Sequence, residues 1–261
     1  MTLIRTTILI FGMQLTRSLR SKRTGFCLLV AIGPGALAWL IQRFPGAPPS
    51  VEIVIYPGWF LLLQVIVPIL SLIAGSAVIS EEIDDRTVTY LFTRPIPRAA
   101  LMLGRWLATA LVLCLILAFG AGLLALMARF GGNPPERAHI GQGVVGPLIA
   151  MAVLGGAVYS GLFAAIGTLY KHPMIVGLGY TFAIEGFLAN LPGKSQGLTI
   201  QFYLRSYIAG RGAEVWQRIE SFELTTFDPA GEALATLLWV LVVALAVGCV
   251  VVSRRQYLLT A

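Results

Sequence analysis

Six predominantly apolar stretches dominate the sequence: residues 26–42, 58–79, 101–127, 144–170, 174–191 and 233–253. Each lies near the roughly 20 residues a helix needs to cross the hydrocarbon core of a bilayer. A chain that is 57% hydrophobic and 12% charged has too little polar surface to cover a soluble globule of 261 residues, so lipid must cover the rest. The fold expected is an all-α polytopic membrane protein with six transmembrane helices. Without an internal repeat or low-complexity linker, residues 1–261 read as one membrane domain. The first and fifth stretches are short, whereas the third and fourth are long enough to tilt or to extend beyond the bilayer.

A net charge of +7 on a soluble chain would point to nucleic acid, but the distribution of charge points to topology instead. With the N-terminus in the cytoplasm, twelve of the nineteen cations fall inside: Arg5, Arg17, Arg20, Lys22, Arg23, Arg86, Arg94, Arg98, Arg105, Lys171, Arg254 and Arg255. That is the positive-inside bias of a multi-pass membrane protein, with both termini cytoplasmic. Ala36-Leu37-Ala38 imitates a signal-peptide cleavage site. The polar lead of roughly 25 residues is too long for a signal n-region, so the stretch reads as a retained span.

Ahead of the first span, Ile4, Ile8, Phe11, Leu15 and Leu19 recur at steps of three and four and share one helical face, with Arg5, Arg17, Arg20 and Lys22 mostly off it. This pattern predicts a helix within residues 1–25 lying in the headgroup region. In the fourth span Gly156, Ser160 and Ala164 repeat every four residues, a small-residue stripe that lets two helix backbones approach closely; packing within the chain is its first reading and a subunit interface its second. The outer segment 192–232 carries aromatics beside Arg205, Arg211 and Arg218. Short helices lying on or dipping into the outer interface are expected there. Glu185 is the one carboxylate inside a predicted span, roughly 18 Å from its start at 1.5 Å per residue. A polar substrate route and a hydrogen-bonded structural acid are both open for it.

Between the second and third spans, within residues 80–100, lies a charged cytoplasmic loop. It reads Glu81-Glu82-Ile83-Asp84-Asp85-Arg86-Thr87-Val88-Thr89-Tyr90-Leu91-Phe92-Thr93-Arg94-Pro95-Ile96-Pro97-Arg98. Acids come first and arginines follow, with Val88, Leu91 and Phe92 as an apolar centre able to fill a groove on another protein. Pro95 and Pro97 would end a helix and redirect the chain. No nucleotide site is visible: Gly193-Lys194-Ser195 resembles the end of a phosphate loop, but Leu188 stands where the first glycine is needed. His139 and His172 fall on opposite sides of the membrane, and Cys27, Cys114 and Cys249 lie unpaired in spans, so no metal site is expected.

The order of small-residue span, glutamates, Arg86-Thr87, apolar pair, Arg94-Pro95-Ile96-Pro97-Arg98 and Leu101-Met102-Leu103-Gly104-Arg105 resembles the permease subunits of ABC-2 type exporters. Among them it looks most like the one-domain permeases encoded separately from their ATPase, such as those of the nitrous-oxide reductase maturation system. Arg105 stands for the customary lysine, and Arg86 takes a glycine position. The resemblance implies a coupling loop: Glu81, Glu82, Asp84, Asp85, Arg86, Thr87, Val88, Leu91, Phe92, Pro95 and Arg98 would dock a cytoplasmic ATPase. It further implies a prokaryotic inner-membrane exporter built of two permease copies, or one with a similar partner, and two ATPase subunits. ATP and magnesium would sit on the ATPase and no cofactor on this chain, which would not itself be an enzyme. One alternative is a mechanical complex that remodels a partner protein. Another is an intramembrane prenyltransferase holding magnesium at Glu81 to Asp85; such an enzyme needs a second acidic cluster, and no other cytoplasmic loop has an acid.

Overall fold

A computed structural model describes residues 3–44, 48–84, 98–131, 144–190, 194–210 and 228–254. Among them every regular element is helical. In chain order these are α1 (Leu3–Leu19), α2 (Lys22–Ile41), α3 (Ser50–Tyr56), a π-helical stretch Pro57–Ile66, and α4 (Val67–Asp84). There follow α5 (Arg98–Gly131), α6 (Val145–Leu169), α7 (Pro173–Tyr180), a second π-helical stretch Thr181–Phe187, two 3-10 turns (Leu188–Asn190 and Lys194–Leu198), α8 (Ile200–Ala209) and α9 (Ala230–Arg254).

Among the described residues five helices are long and apolar enough to cross a membrane: Lys22–Ile41, Phe60–Val78, Ala99–Phe130, Val145–Leu169 and Ala230–Arg254. The expected fifth span of six, 174–191, takes another form. Its apolar helix, Pro173–Phe187, covers roughly 22 Å at 1.5 Å per residue, short of the roughly 30 Å hydrocarbon core. The third span is longer than the sequence pattern suggested, 34 residues in place of 101–127.

Local chemistry sets several of these boundaries. Ser21 separates α1 from α2 and caps the latter, its hydroxyl accepting the Thr24 N–H at 3.2 Å and so satisfying one of the open donors of the first turn. α6 ends at Leu169, and Pro173, which suits the first turn of a helix, opens α7 after a three-residue turn. At the far end of α2 the Arg43 guanidinium lies 4.6 Å above the Trp39 ring, an amphipathic pairing suited to a membrane interface.

α6 is the hub, packed by α4, α5, α8 and α9. Small residues permit this crowding. A methyl group on Gly75 of α4 would lie 2.7 Å from the Ser160 carbonyl oxygen, so glycine is what lets α4 and α6 touch backbone to backbone. Gly156 faces Leu117 of α5, Gly155 faces Val67 and Leu204, and Gly161 faces Leu241 of α9. Ala164 belongs to an apolar cluster with Val78, Met102, Trp106, Ala110 and Val252. The Gly156, Ser160 and Ala164 stripe therefore meets helices of this same chain.

The perimeter is apolar where the hub is crowded. α9 exposes Leu238, Trp239, Val242, Val243, Val247 and Val250, and α2 exposes Phe26, Leu28, Leu29, Trp39 and Leu40. In water such faces would be untenable; against acyl chains they carry no penalty. α1 exposes Ile4, Ile8, Met13 and Leu19 while its other side lies on α5.

Candidate functional site

Two places hold chemistry: the flanks of the charged loop and a buried polar cluster around Glu185. Glu81, Glu82 and Asp84 belong to the last turns of α4, and Arg98 is the first residue of α5. Asp85, Arg86, Thr87, Val88, Leu91, Phe92 and Pro95 lie outside the described residues. Acids thus precede the loop on α4 and a cation follows it on α5.

A few residues behind the loop the flanks are tied together. Arg105, 9% exposed, donates from Nη1 to the Val78 carbonyl at 3.3 Å, joining the start of α5 to the end of α4. Its neighbour Trp106 donates from Nε1 to the Ser160 hydroxyl at 3.2 Å, and that hydroxyl donates onward to the Ala157 carbonyl at 3.0 Å. Gly104 touches a third element, since a methyl group there would sit 2.7 Å from the Thr7 carbonyl oxygen and 3.0 Å from Cβ of Ile10. Three consecutive residues, Gly104, Arg105 and Trp106, thus fix α5 against α1, α4 and α6. The sequence motif singled out Gly104 and Arg105; the role of Trp106 had no sequence signal beyond adjacency.

Glu185 sits in the second π-helical stretch with its side chain fully buried. Its Oε1 accepts the Tyr180 hydroxyl at 2.9 Å and the Ile200 N–H at 2.9 Å, and its Oε2 accepts the Gln201 N–H at 3.1 Å. Ile200 and Gln201 are the first two residues of α8, and Thr199 before them accepts the third N–H, that of Phe202, at 3.2 Å. The open donors of a buried helix start are thereby satisfied by one remote carboxylate and one local hydroxyl. A negative charge at that end also complements the helix dipole.

The rest of α8 is held with equal economy. Pro68 has no N–H to return to the Gln64 carbonyl four residues earlier. That oxygen accepts Gln201 Nε2 at 3.4 Å, while Gln201 Oε1 accepts Arg205 Nη2 at 3.4 Å and Arg205 Nη1 reaches the Ala189 carbonyl at 3.4 Å. Arg205 was expected on an outer surface helix; it is 2% exposed within the bundle. Ile200, Leu204 and Ile208 bury one side of α8 against α6 and α9, so this part of the outer segment enters the core. A 10-residue helix whose first N–H groups have no partner within the helix can be buried only because these polar side chains are buried with it.

Among the described residues no group of three or more His, Cys, Asp or Glu side chains is arranged to hold a metal ion. No curated protein matches the sequence. A family model for ABC-2 family transporter proteins matches residues 14–257, almost the whole chain, and five membrane-crossing helices accompany that match. The chain is a multi-pass transmembrane permease that belongs to the ABC-2 transporter family.

Proposed function

We propose that this permease couples ATP hydrolysis on a separate cytoplasmic ATPase to export or flipping of a substrate, with residues 80–100 as the docking loop. The observation that carries the reading is the match of residues 14–257 to the ABC-2 family model, taken with the order of charge along the loop, acids from Glu81 to Asp85 and arginines from Arg86 to Arg98. A partner with cations facing Glu81, Glu82, Asp84 and Asp85, and acids facing Arg86 and Arg98, complements that order and gains contact with Val88, Leu91 and Phe92. Thr87 and the turn at Pro95 complete the docking segment.

Movement then has a route inward. Asp84 lies six residues beyond Val78 and Arg98 seven before Arg105, so a displaced loop acts on the Arg105–Val78 link from roughly 10 Å away. Trp106 and Ser160 carry the same displacement to α6. In this reading nucleotide and magnesium bind the ATPase, two ATPase subunits serve two permease copies or one with a similar partner, and both termini face the cytoplasm of a prokaryotic cell whose inner membrane holds the complex. Pro173–Phe187 with the turn after it acts as the sixth, shortened crossing, α1 lies in the interface, and Glu185 holds α8 instead of lining a route. Within the family we place the chain near the one-domain permeases encoded apart from their ATPase, such as those of the nitrous-oxide reductase maturation system.

The test is co-purification with the cytoplasmic ATPase from native membranes. Reversing Glu81 and Glu82 to lysine is expected to abolish recovery of the ATPase while the permease stays monodisperse. Full recovery with the double variant would remove the docking role.

A further inference from the structure

A cavity of about 240 Å³ opens where α1, α2, α4 and α5 meet. One wall is polar and basic, formed by Gln14, Arg17 and Ser18 at the end of α1 and by Arg23 and Thr24 at the start of α2. The opposite wall is apolar, with Val78 of α4 and Val112, Leu113 and Ile116 of α5. Among the described residues that line it, none is acidic. Its height in the membrane follows from its own residues: the span Lys22–Ile41 begins beside it and the span Phe60–Val78 ends in it. It therefore lies at the boundary between headgroups and acyl chains.

A cavity with two arginines and several hydroxyl or amide groups at headgroup level, and aliphatic side chains on the hydrocarbon side, matches one chemistry. We infer that it binds an anionic phospholipid, the phosphate facing Arg17 and Arg23 and the start of an acyl chain lying along Val112 and Ile116. A phosphate there gains the charge-assisted hydrogen bonds that arginine offers to anions, and the apolar wall gains from burying methylene groups. A free phosphate would use only the first half of the site. Met13, Leu19 and Phe26, next in sequence to the lining residues Gln14, Ser18 and Cys27, are exposed lipid-compatible surface, so the second acyl chain need not enter protein. Because Val78 both lines the cavity and accepts from Arg105, the lipid rests against the end of α4 next to the loop-flank link. The inference needs the membrane fold and this cavity, and is independent of whether an ATPase docks at the loop.

The experiment measures lipid retained by the detergent-purified permease, using native mass spectrometry after incubation with equimolar phosphatidylglycerol and phosphatidylcholine. The wild type is expected to retain phosphatidylglycerol with roughly thirtyfold preference, the scale of two cations acting at a membrane surface. Arg17→Gln, at an exposed position where folding is not at stake, should reduce that preference, Arg17→Gln with Arg23→Gln should abolish it, and the corresponding pair of lysine substitutions should restore most of it. Arg129→Gln, at the far end of α5, should leave it unchanged. Glycerol phosphate at the same concentration should neither bind nor displace the lipid. Equal retention in the wild type and Arg17→Gln, no preference in the wild type, or displacement by glycerol phosphate alone would each overturn the assignment.

Discussion

Arg105 donates a hydrogen bond to the Val78 carbonyl at 3.3 Å, and this contact joins the two helices that bracket the charged loop, beside the apolar packing of Val78 on Met102 and Trp106. Val78 is 2% exposed and Arg105 9%, so the contact is shielded from water. A hydrogen bond placed there couples a displacement of the end of α4 to the start of α5.

Removing the donor should loosen that junction. Arg105→Met keeps most of the side-chain volume and loses the hydrogen bond, for an expected cost of about 1.5 kcal/mol. Amide hydrogen exchange should rise over the last turns of α4 and the first turns of α5 while the core of α6 stays protected. Uniform loss of protection would mean that Arg105 supports the whole bundle, not the junction.

Glu185 is expected to behave as a helix anchor. In Glu185→Gln one oxygen becomes an amide donor, so one of the N–H groups of Ile200 and Gln201, or the Tyr180 hydroxyl, loses its acceptor. The cost expected is about 1–3 kcal/mol of thermal stability in detergent, with greater protease sensitivity around α8. A variant as stable as the wild type but defective in transport would place Glu185 on a substrate route.

The two glycines at backbone crossings make a paired prediction with an internal control. Gly75→Ala and Gly104→Ala put a methyl group 2.7 Å from a carbonyl oxygen on a neighbouring helix, and each should destabilise by about 1–3 kcal/mol. Gly122→Ala in α5 meets nothing within 4 Å and should be neutral or slightly stabilising through helix propensity alone. Thermal unfolding of the three variants side by side checks the pattern.

Much of the architecture was legible because membrane helices announce themselves by length. Five of the expected spans overlap the long apolar helices described, and the polar lead before the first of them folds as α1. In the stretch 174–191 apolarity and helix length part company: Pro173–Phe187 is an apolar helix shorter than the hydrocarbon core, followed by a 3-10 turn to Asn190. Arg205 misled in the opposite direction, beside Gln201, which carried no sequence signal. A charged residue among aromatics reads as an interfacial anchor, and only tertiary structure shows that the open Gln64 carbonyl and the Ala189 carbonyl give this pair buried partners. That the Gln64 carbonyl left open by Pro68 would accept from a side chain 137 residues further along the chain had no sequence signal. For Glu185 the sequence left a substrate route and a structural acid open, and its hydrogen bonds to the Ile200 and Gln201 N–H groups join residues too far apart in the chain for any pattern to pair them.

The account stands on the charged loop as the point where an ATPase grips the permease, and the most direct measurement is recovery of that ATPase with affinity-purified permease from native membranes. The wild type should bring it down in near-stoichiometric amount, and Glu81→Lys with Glu82→Lys should lose it while the permease elutes unchanged on size exclusion. Equal ATPase recovery from both proteins would contradict the account.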